Sequence, residues 1–66
     1  MNTNILEGKW KQIRGEAKIQ WGRLTDDELD QVAGSRDKLI GLIQERYGYA
    51  NQEAERMVDR FLNRFN

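Results

Sequence analysis

The chain has 66 residues, with no cysteine, proline or histidine, and its 11 basic residues balance 11 acidic ones. A chain of this size is expected to form one domain, over residues 1–66, and it can form neither a disulfide nor a zinc site with cysteine or histidine ligands. Because its net charge is zero, the chain lacks the overall positive field that most nucleic-acid-binding domains carry.

The first predicted helix covers Asn4 to Trp21. Its apolar residues recur every three or four positions, as the buried side of an α-helix requires. They are Leu6, Trp10, Ile13, Ala17 and Trp21. Gly22 follows directly, and a glycine in the left-handed conformation commonly ends a helix. We therefore expect one continuous helix that is closed by Gly22.

The stretch QWGRLTDDELD, residues 20–30, raises the question of an ion site because four of its last five residues are acidic. Thr25 and Glu28 have the spacing of a capping box, and a leucine lies on either side of the cap at the spacing of a hydrophobic staple. The acidic positions do not match a calcium-binding loop. We therefore interpret them as the first turn of a second helix over Asp26 to Ala33, and we expect no metal or cofactor.

Two further helices are predicted. Ser35 can cap a helix over Arg36 to Tyr47, which Gly48 would end. Asn51 can cap a fourth helix, which carries the widest apolar stripe of the chain. The stripe consists of Ala54, Met57, Val58, Phe61, Leu62 and Phe65. Since no segment alternates apolar and polar residues with a period of two, we predict an all-α fold.

The glycines form two sets with the same spacing. These are Gly8, Gly15 and Gly22, then Gly34, Gly41 and Gly48. Shifting the chain so that Gly34 falls on Gly8 also aligns Trp21 with Tyr47. The alignment suggests two helical hairpins of one design, either as a true repeat or through shared rules of helix formation. Glycine within a helix costs about 1 kcal/mol relative to alanine, so we expect close helix crossings at Gly8, Gly15 and Gly41.

Exposed residues offer the remaining candidate chemistry. Charge is uneven along the chain, since residues 1–24 carry five basic and two acidic residues (+3) and residues 25–37 carry one basic and five acidic (−4). The candidate binding surface consists of Lys11, Arg14, Lys18, Tyr49, Arg56, Arg60 and Arg64. Its basic residues could contact phosphates or form a solvated face with local ion pairs, and the tyrosine is expected to project outward. No spacing places a nucleophile beside a general base, so we predict no catalytic residue and no enzyme.

Three motifs of this sequence resemble the CsbD-like family of small bacterial proteins. They are G-x-W-x-Q-x-x-G, W-G-x-L-T-D-D and G-x-x-x-x-L-x-G-x-I-Q-x-x-Y-G, all within residues 8–55. The resemblance implies a general stress response, with no established activity or catalytic residue. It also implies a compact orthogonal bundle of four short helices, arranged as two crossed hairpins and similar to sterile-alpha-motif domains. The C-terminal segment RMVDRFLNRFN departs from the family pattern.

We therefore predict a small, stress-associated protein that binds or protects other molecules without catalysis. No stretch approaches the roughly 20 apolar residues of a membrane helix, and the first residues lack a signal-peptide pattern, so we expect a soluble, cytoplasmic protein. Its partner is not identified by the sequence, although a protein partner is one candidate. The alternative is a weak nucleic-acid-binding protein that uses the basic faces of the first and fourth helices.

Overall fold

The computed structural model describes residues 3–65, and the side chains of residues 6–65. Over these residues the chain is all-helical, without a β-strand, as predicted. Five α-helices and a terminal 3₁₀ turn follow one another. They are α1 (Thr3–Gly8), α2 (Trp10–Gln20), α3 (Asp26–Val32), α4 (Arg36–Tyr47), α5 (Asn51–Leu62) and the 3₁₀ turn Asn63–Phe65.

The first predicted helix is divided into α1 and α2, so the prediction of one continuous helix is wrong. The break lies at Lys9, whose backbone has φ −109° and ψ 11°. Gly8, a residue type that weakens helices, precedes it, and the Lys9 ammonium donates a 2.9 Å hydrogen bond to the backbone carbonyl of Phe65. At the other end, α2 stops at Gln20, and Gly22 does not adopt the left-handed conformation expected of it.

The acidic stretch begins α3, as predicted. The Thr25 hydroxyl oxygen accepts a 3.2 Å hydrogen bond from the backbone N–H of Glu28, and the Thr25 N–H donates to the Glu28 carboxylate at 3.1 Å. This is the reciprocal capping box, and both leucines of the predicted staple are buried. The helix ends at Val32, one residue earlier than predicted, because Ala33 takes a left-handed conformation with φ 49°.

The start of α4 was predicted correctly, whereas the start of α5 was not. The Ser35 hydroxyl accepts a 3.3 Å hydrogen bond from the third backbone N–H that follows it, and Gly48, at φ 72°, ends α4. The N-cap of α5 is Ala50, so Asn51 is not the cap. The Asn51 amide instead turns back and donates to the Gln44 side chain at 3.2 Å.

Every α-helix contributes to one apolar core, in which no polar or charged side chain of the described part is buried. Three aromatic rings from the end of α2 and the C-terminal region meet there edge to face. The Trp21 and Phe61 centroids are 4.8 Å apart, and those of Phe61 and Phe65 are 5.3 Å apart. Such pairs stabilise a core beyond the area they bury, so these aromatics hold α5 against the end of α2.

The mid-helix glycines do not mark helix crossings, so that prediction is wrong. A Cβ atom added at Gly8, Gly15 or Gly41 would meet nothing within 4 Å. The close approach lies instead at Gly34, where φ is 83° and a Cβ would lie 3.2 Å from the Cα of Glu7. Glycine is therefore required at the junction between α3 and α4, where the chain turns against α1.

Candidate functional site

Two of the predicted binding residues on α2 face the acidic start of α3. The Arg14 guanidinium lies 3.2 Å from the carboxylates of both Asp26 and Asp30, and the Lys18 ammonium lies 2.7 Å from Asp26. The hydrogen bond and charge of Lys18, reinforced by Arg14, hold the pKa of the Asp26 carboxyl below its ordinary value. We call these four residues the paired basic face, because its positive groups already have carboxylate partners.

Tyr49 is half-buried and packs against the core, so it does not project outward as expected. Its ring stacks on that of Tyr47, with 5.9 Å between centroids and 13° between planes. Tyr47 in turn accepts a 3.1 Å hydrogen bond from the backbone N–H of Arg23, whose guanidinium lies 5.5 Å from the ring centroid. The two tyrosines therefore support the bend between α4 and α5.

Neither Arg56 nor Lys11 takes part in the ion pairs of the paired basic face. Lys11 is exposed on α2. Arg56 lines a polar recess together with Asp59. The Asp59 carboxylate is held by Arg36 through two hydrogen bonds of 2.7 and 2.8 Å, which also lower the pKa of that carboxyl. This recess is therefore part of the contact between α4 and α5.

Arg60 and Arg64 are brought together with apolar side chains in a groove that is formed by the end of α2, the second half of α5 and the 3₁₀ turn. The groove has a volume of about 160 Å³. Its other lining residues are Gln20, Trp21, Met57 and Phe61. The rings of Trp21 and Phe61, each 4% exposed, are its most buried part. We call this surface the aromatic groove.

The aromatic groove has positive charge that is only weakly compensated. Arg60 is exposed and makes no ion pair within the described part of the chain. The Arg64 guanidinium lies 3.8 Å from the Glu16 carboxylate and 5.9 Å from the Phe61 ring centroid. An ion pair of that length between exposed side chains contributes little. Two guanidinium groups are therefore available beside an apolar surface.

Trp21 adds an unsatisfied hydrogen-bond donor. Its indole N–H is buried and has no acceptor among the described residues. A buried donor without an acceptor costs about 1–3 kcal/mol. Trp21, a lining residue of the groove, therefore carries a buried polar group without an acceptor among the described residues.

The sequence predicted only part of this groove. Regular spacing along the predicted fourth helix identified Arg60 and Arg64, the second of which lies in the 3₁₀ turn after α5. Trp21 and Phe61 were assigned to the core, where they also belong. No local pattern indicates that the end of α2 packs beside α5.

Within residues 6–65 no cluster of acidic side chains has the arrangement of a metal site. No helix in the described part is long and apolar enough to cross a membrane.

Comparisons with known proteins give one family. The profile of the CsbD-like family matches residues 4–56, and thus ends within α5 before the arginines of the groove. A UPF0337 protein of Bordetella pertussis is 53% identical over 64 residues, which are 97% of each chain. The UPF0337 protein YjbJ of Escherichia coli K12 is 52% identical over 58 residues, which are 88% of this chain and 84% of YjbJ. These names state no ligand, partner or reaction.

Proposed function

This chain belongs to the CsbD-like family, and on that premise we propose that it is a stress-associated, cytoplasmic protein that binds or protects other molecules without catalysis. The stress association is what the family resemblance implies. In this proposal residues 1–66 are one domain, and the four longer helices, α2 to α5, are its two crossed hairpins, as in sterile-alpha-motif domains. Its binding surface is the aromatic groove.

The observation that supports the groove is the position of two guanidinium groups beside buried aromatic rings. Arg60 has no ion-pair partner in the described residues. The carboxylate nearest to the Arg64 guanidinium, that of Glu16, is as far as 3.8 Å away. Ligand sites are concave and mostly apolar, with a few polar groups that orient the ligand. The groove has this composition. Its volume is about half or less of the roughly 300–1,000 Å³ that is usual for a ligand pocket. It therefore suits one chemical group of a larger partner.

The other predicted residues contribute less to this proposal. Arg14 and Lys18 already face carboxylates at 2.7–3.2 Å, which weakens the nucleic-acid alternative on α2. Lys11 and Arg56 lie outside the groove, and Tyr49 is engaged in the bend between α4 and α5.

Affinity capture from stressed bacterial cells tests the proposed surface. Three baits are compared, namely the wild type, the double reversal Arg60→Glu/Arg64→Glu and the control Arg56→Glu, which changes an arginine of the same helix outside the groove. We expect molecules captured by the wild type and by the control to be lost with the double reversal. Equal capture by all three correctly folded baits would contradict the assignment of binding to the groove.

A further inference from the structure

We infer that the aromatic groove binds the C-terminal residue of a partner polypeptide, with the terminal carboxylate on the two arginines and a large apolar side chain, as in phenylalanine or leucine, on the aromatic rings. This inference rests on the proposed function, since it names the ligand of the same groove. Charge, size and chain geometry support it separately.

Arg60 and Arg64 supply the positive charge that a terminal carboxylate would meet in the groove. A guanidinium group binds a carboxylate through two parallel hydrogen bonds, typically of about 2.7–2.9 Å. Arg60 makes no such contact with the described residues, and Arg64 has only the 3.8 Å approach of Glu16. A carboxylate in the groove can therefore make shorter contacts than those already present. Trp21 lines the same groove, and its buried indole N–H lacks an acceptor among the described residues.

The size of the groove matches the apolar part of the proposed ligand. The groove volume of about 160 Å³ is close to that of an engineered apolar cavity of about 150 Å³ that binds benzene. The groove is lined by Trp21, Phe61 and Met57, and aromatic rings and thioether groups pack well against a phenyl or branched alkyl group. A single side chain of that size fits this volume.

Chain geometry favours a terminal residue over an internal one. At a C-terminus the carboxylate and the side chain belong to the same residue and are separated by only two bonds. In an extended internal segment, neighbouring side chains point to opposite faces, so an aromatic residue and an adjacent acidic residue cannot enter one groove together. A terminal residue that carries both groups itself therefore suits a groove of this size better than such a pair of adjacent residues.

The test is an NMR titration of the full chain, read from the indole N–H signal of Trp21. The variant Trp10→Phe assigns this signal, because Trp10 is the only other tryptophan. The small probes are N-acetyl-phenylalanine and its C-terminal amide, which has the same apolar group without the charge. We expect the acid to shift the signal saturably and to bind about tenfold more tightly than the amide, because the amide loses a charge-assisted hydrogen bond. Equal binding of the two, or no shift with the acid, would overturn the inference.

Variants locate the binding within the groove. Arg60→Gln/Arg64→Gln should weaken binding of the acid to the level of the amide, while Arg56→Gln, on the same helix, should leave it unchanged. Glu16→Gln should strengthen binding, because it removes the carboxylate that competes for Arg64. Loss of binding in Arg56→Gln to the same extent as in the double variant would contradict the site. Dispersed amide spectra confirm that each variant is folded.

Peptides then test the source of the carboxylate. The probes are a Gly-Ser peptide that ends in phenylalanine with a free carboxylate, the same peptide as a C-terminal amide, and an amidated peptide with an internal Phe-Asp pair. We expect only the first to bind, at least as tightly as N-acetyl-phenylalanine. If the small acid binds and the free-acid peptide does not, the polypeptide ligand is wrong. Binding of the internal Phe-Asp peptide with the affinity of the first would also overturn it.

The two proposals can fail separately. If no probe binds while capture from stressed cells still depends on Arg60 and Arg64, the ligand class is wrong and the proposed function stands. If the free-acid peptide binds but capture is independent of both arginines, the groove recognises C-termini and the proposed cellular role of that recognition is wrong.

Discussion

The paired basic face and the aromatic groove each contain two basic residues four positions apart, but these residues have different electrostatic surroundings. Arg14 and Lys18 lie 2.7–3.2 Å from carboxylates of α3. Arg60 makes no ion pair with the described residues, and Arg64 approaches Glu16 only to 3.8 Å. The difference comes from the packed neighbour, since α2 faces the acidic first turn of α3 while α5 faces an amide and an indole at the end of α2. The neighbouring element thus decides whether a basic residue is available for binding.

The largest expected effect concerns the apolar surface of the groove. Phe61→Ala should lower the free energy of unfolding by about 3–5 kcal/mol, because it leaves a cavity and removes the edge-to-face contacts with Trp21 and Phe65. Met57→Ala, at a half-buried lining residue, should cost clearly less. Urea denaturation of both variants gives the comparison, with an osmolyte such as TMAO added if Phe61→Ala is unfolded without it. A similar loss in both would show that the groove is not backed by the core.

In the paired basic face, the position of the two carboxylates depends on the capping box that starts α3. Thr25→Ala removes the capping box of α3 and should cost about 1 kcal/mol of unfolding free energy, whereas Thr25→Ser keeps a hydroxyl acceptor and should cost less. Urea denaturation with and without calcium chloride measures both effects. Calcium should add no stability to the wild type, since the acidic residues of α3 satisfy backbone N–H groups and basic side chains. A calcium-dependent rise would restore the ion-site interpretation.

How far the sequence predicts this molecule depends on the range of the interactions. The caps at Thr25 and Ser35 are local, and both were predicted. The break at Lys9 and the position of Asn51 were not predicted. Each of these residues makes a side-chain hydrogen bond to a part of the chain that local patterns do not connect with it, the Phe65 carbonyl in one case and the Gln44 side chain in the other.

The candidate site divides in the same way. Spacing along one helix identified Arg60 and Arg64, but not the aromatic rings beside them, which come together only when α2 packs on α5. The opposite charges of residues 1–24 and 25–37 were visible in the sequence. That signal could have indicated that Arg14 and Lys18 would be paired across α2 and α3, but it does not specify which carboxylate meets which base.

Because only the paired basic face has close ion pairs, its contribution to the free energy of unfolding should depend on pH in acid, whereas that of the aromatic groove should not. Lys18 lowers the pKa of Asp26 from its ordinary value of 3.8 in the folded state. A lowered folded-state pKa stabilises the protein above the unfolded pKa, and this stability is lost as the pH falls through the folded value. Lys18→Gln should therefore flatten the loss of stability below about pH 4, whereas Arg60→Gln should leave it unchanged. Urea midpoints between about pH 7 and pH 2 measure this.

Other carboxylates limit the size of that effect. The hydrogen bonds from Arg46 to Glu28 and from Arg36 to Asp59 also lower the pKa values of those acids, so the Lys18→Gln variant keeps part of the acid dependence. Identical acid branches for the wild type and Lys18→Gln would mean that Lys18 and Asp26 do not interact in solution.

The smallest expected effect comes from converting the paired basic face into an unpaired one. Asp26→Asn/Asp30→Asn frees Arg14 and Lys18, and it should create weak binding to a single-stranded oligonucleotide that is detectable at low salt. Each freed cation that contacts a phosphate should steepen the slope of log K against log salt by about 0.7. Fluorescence anisotropy between about 20 and 200 mM sodium chloride measures that slope.

The matched control is Asp27→Asn/Glu53→Gln, which makes the same change in net charge at acids without an ion pair among the described residues. An equal gain in the control would mean that net charge governs binding, whereas a gain confined to the first variant would show that the acidic turn of α3 keeps nucleic acid off α2.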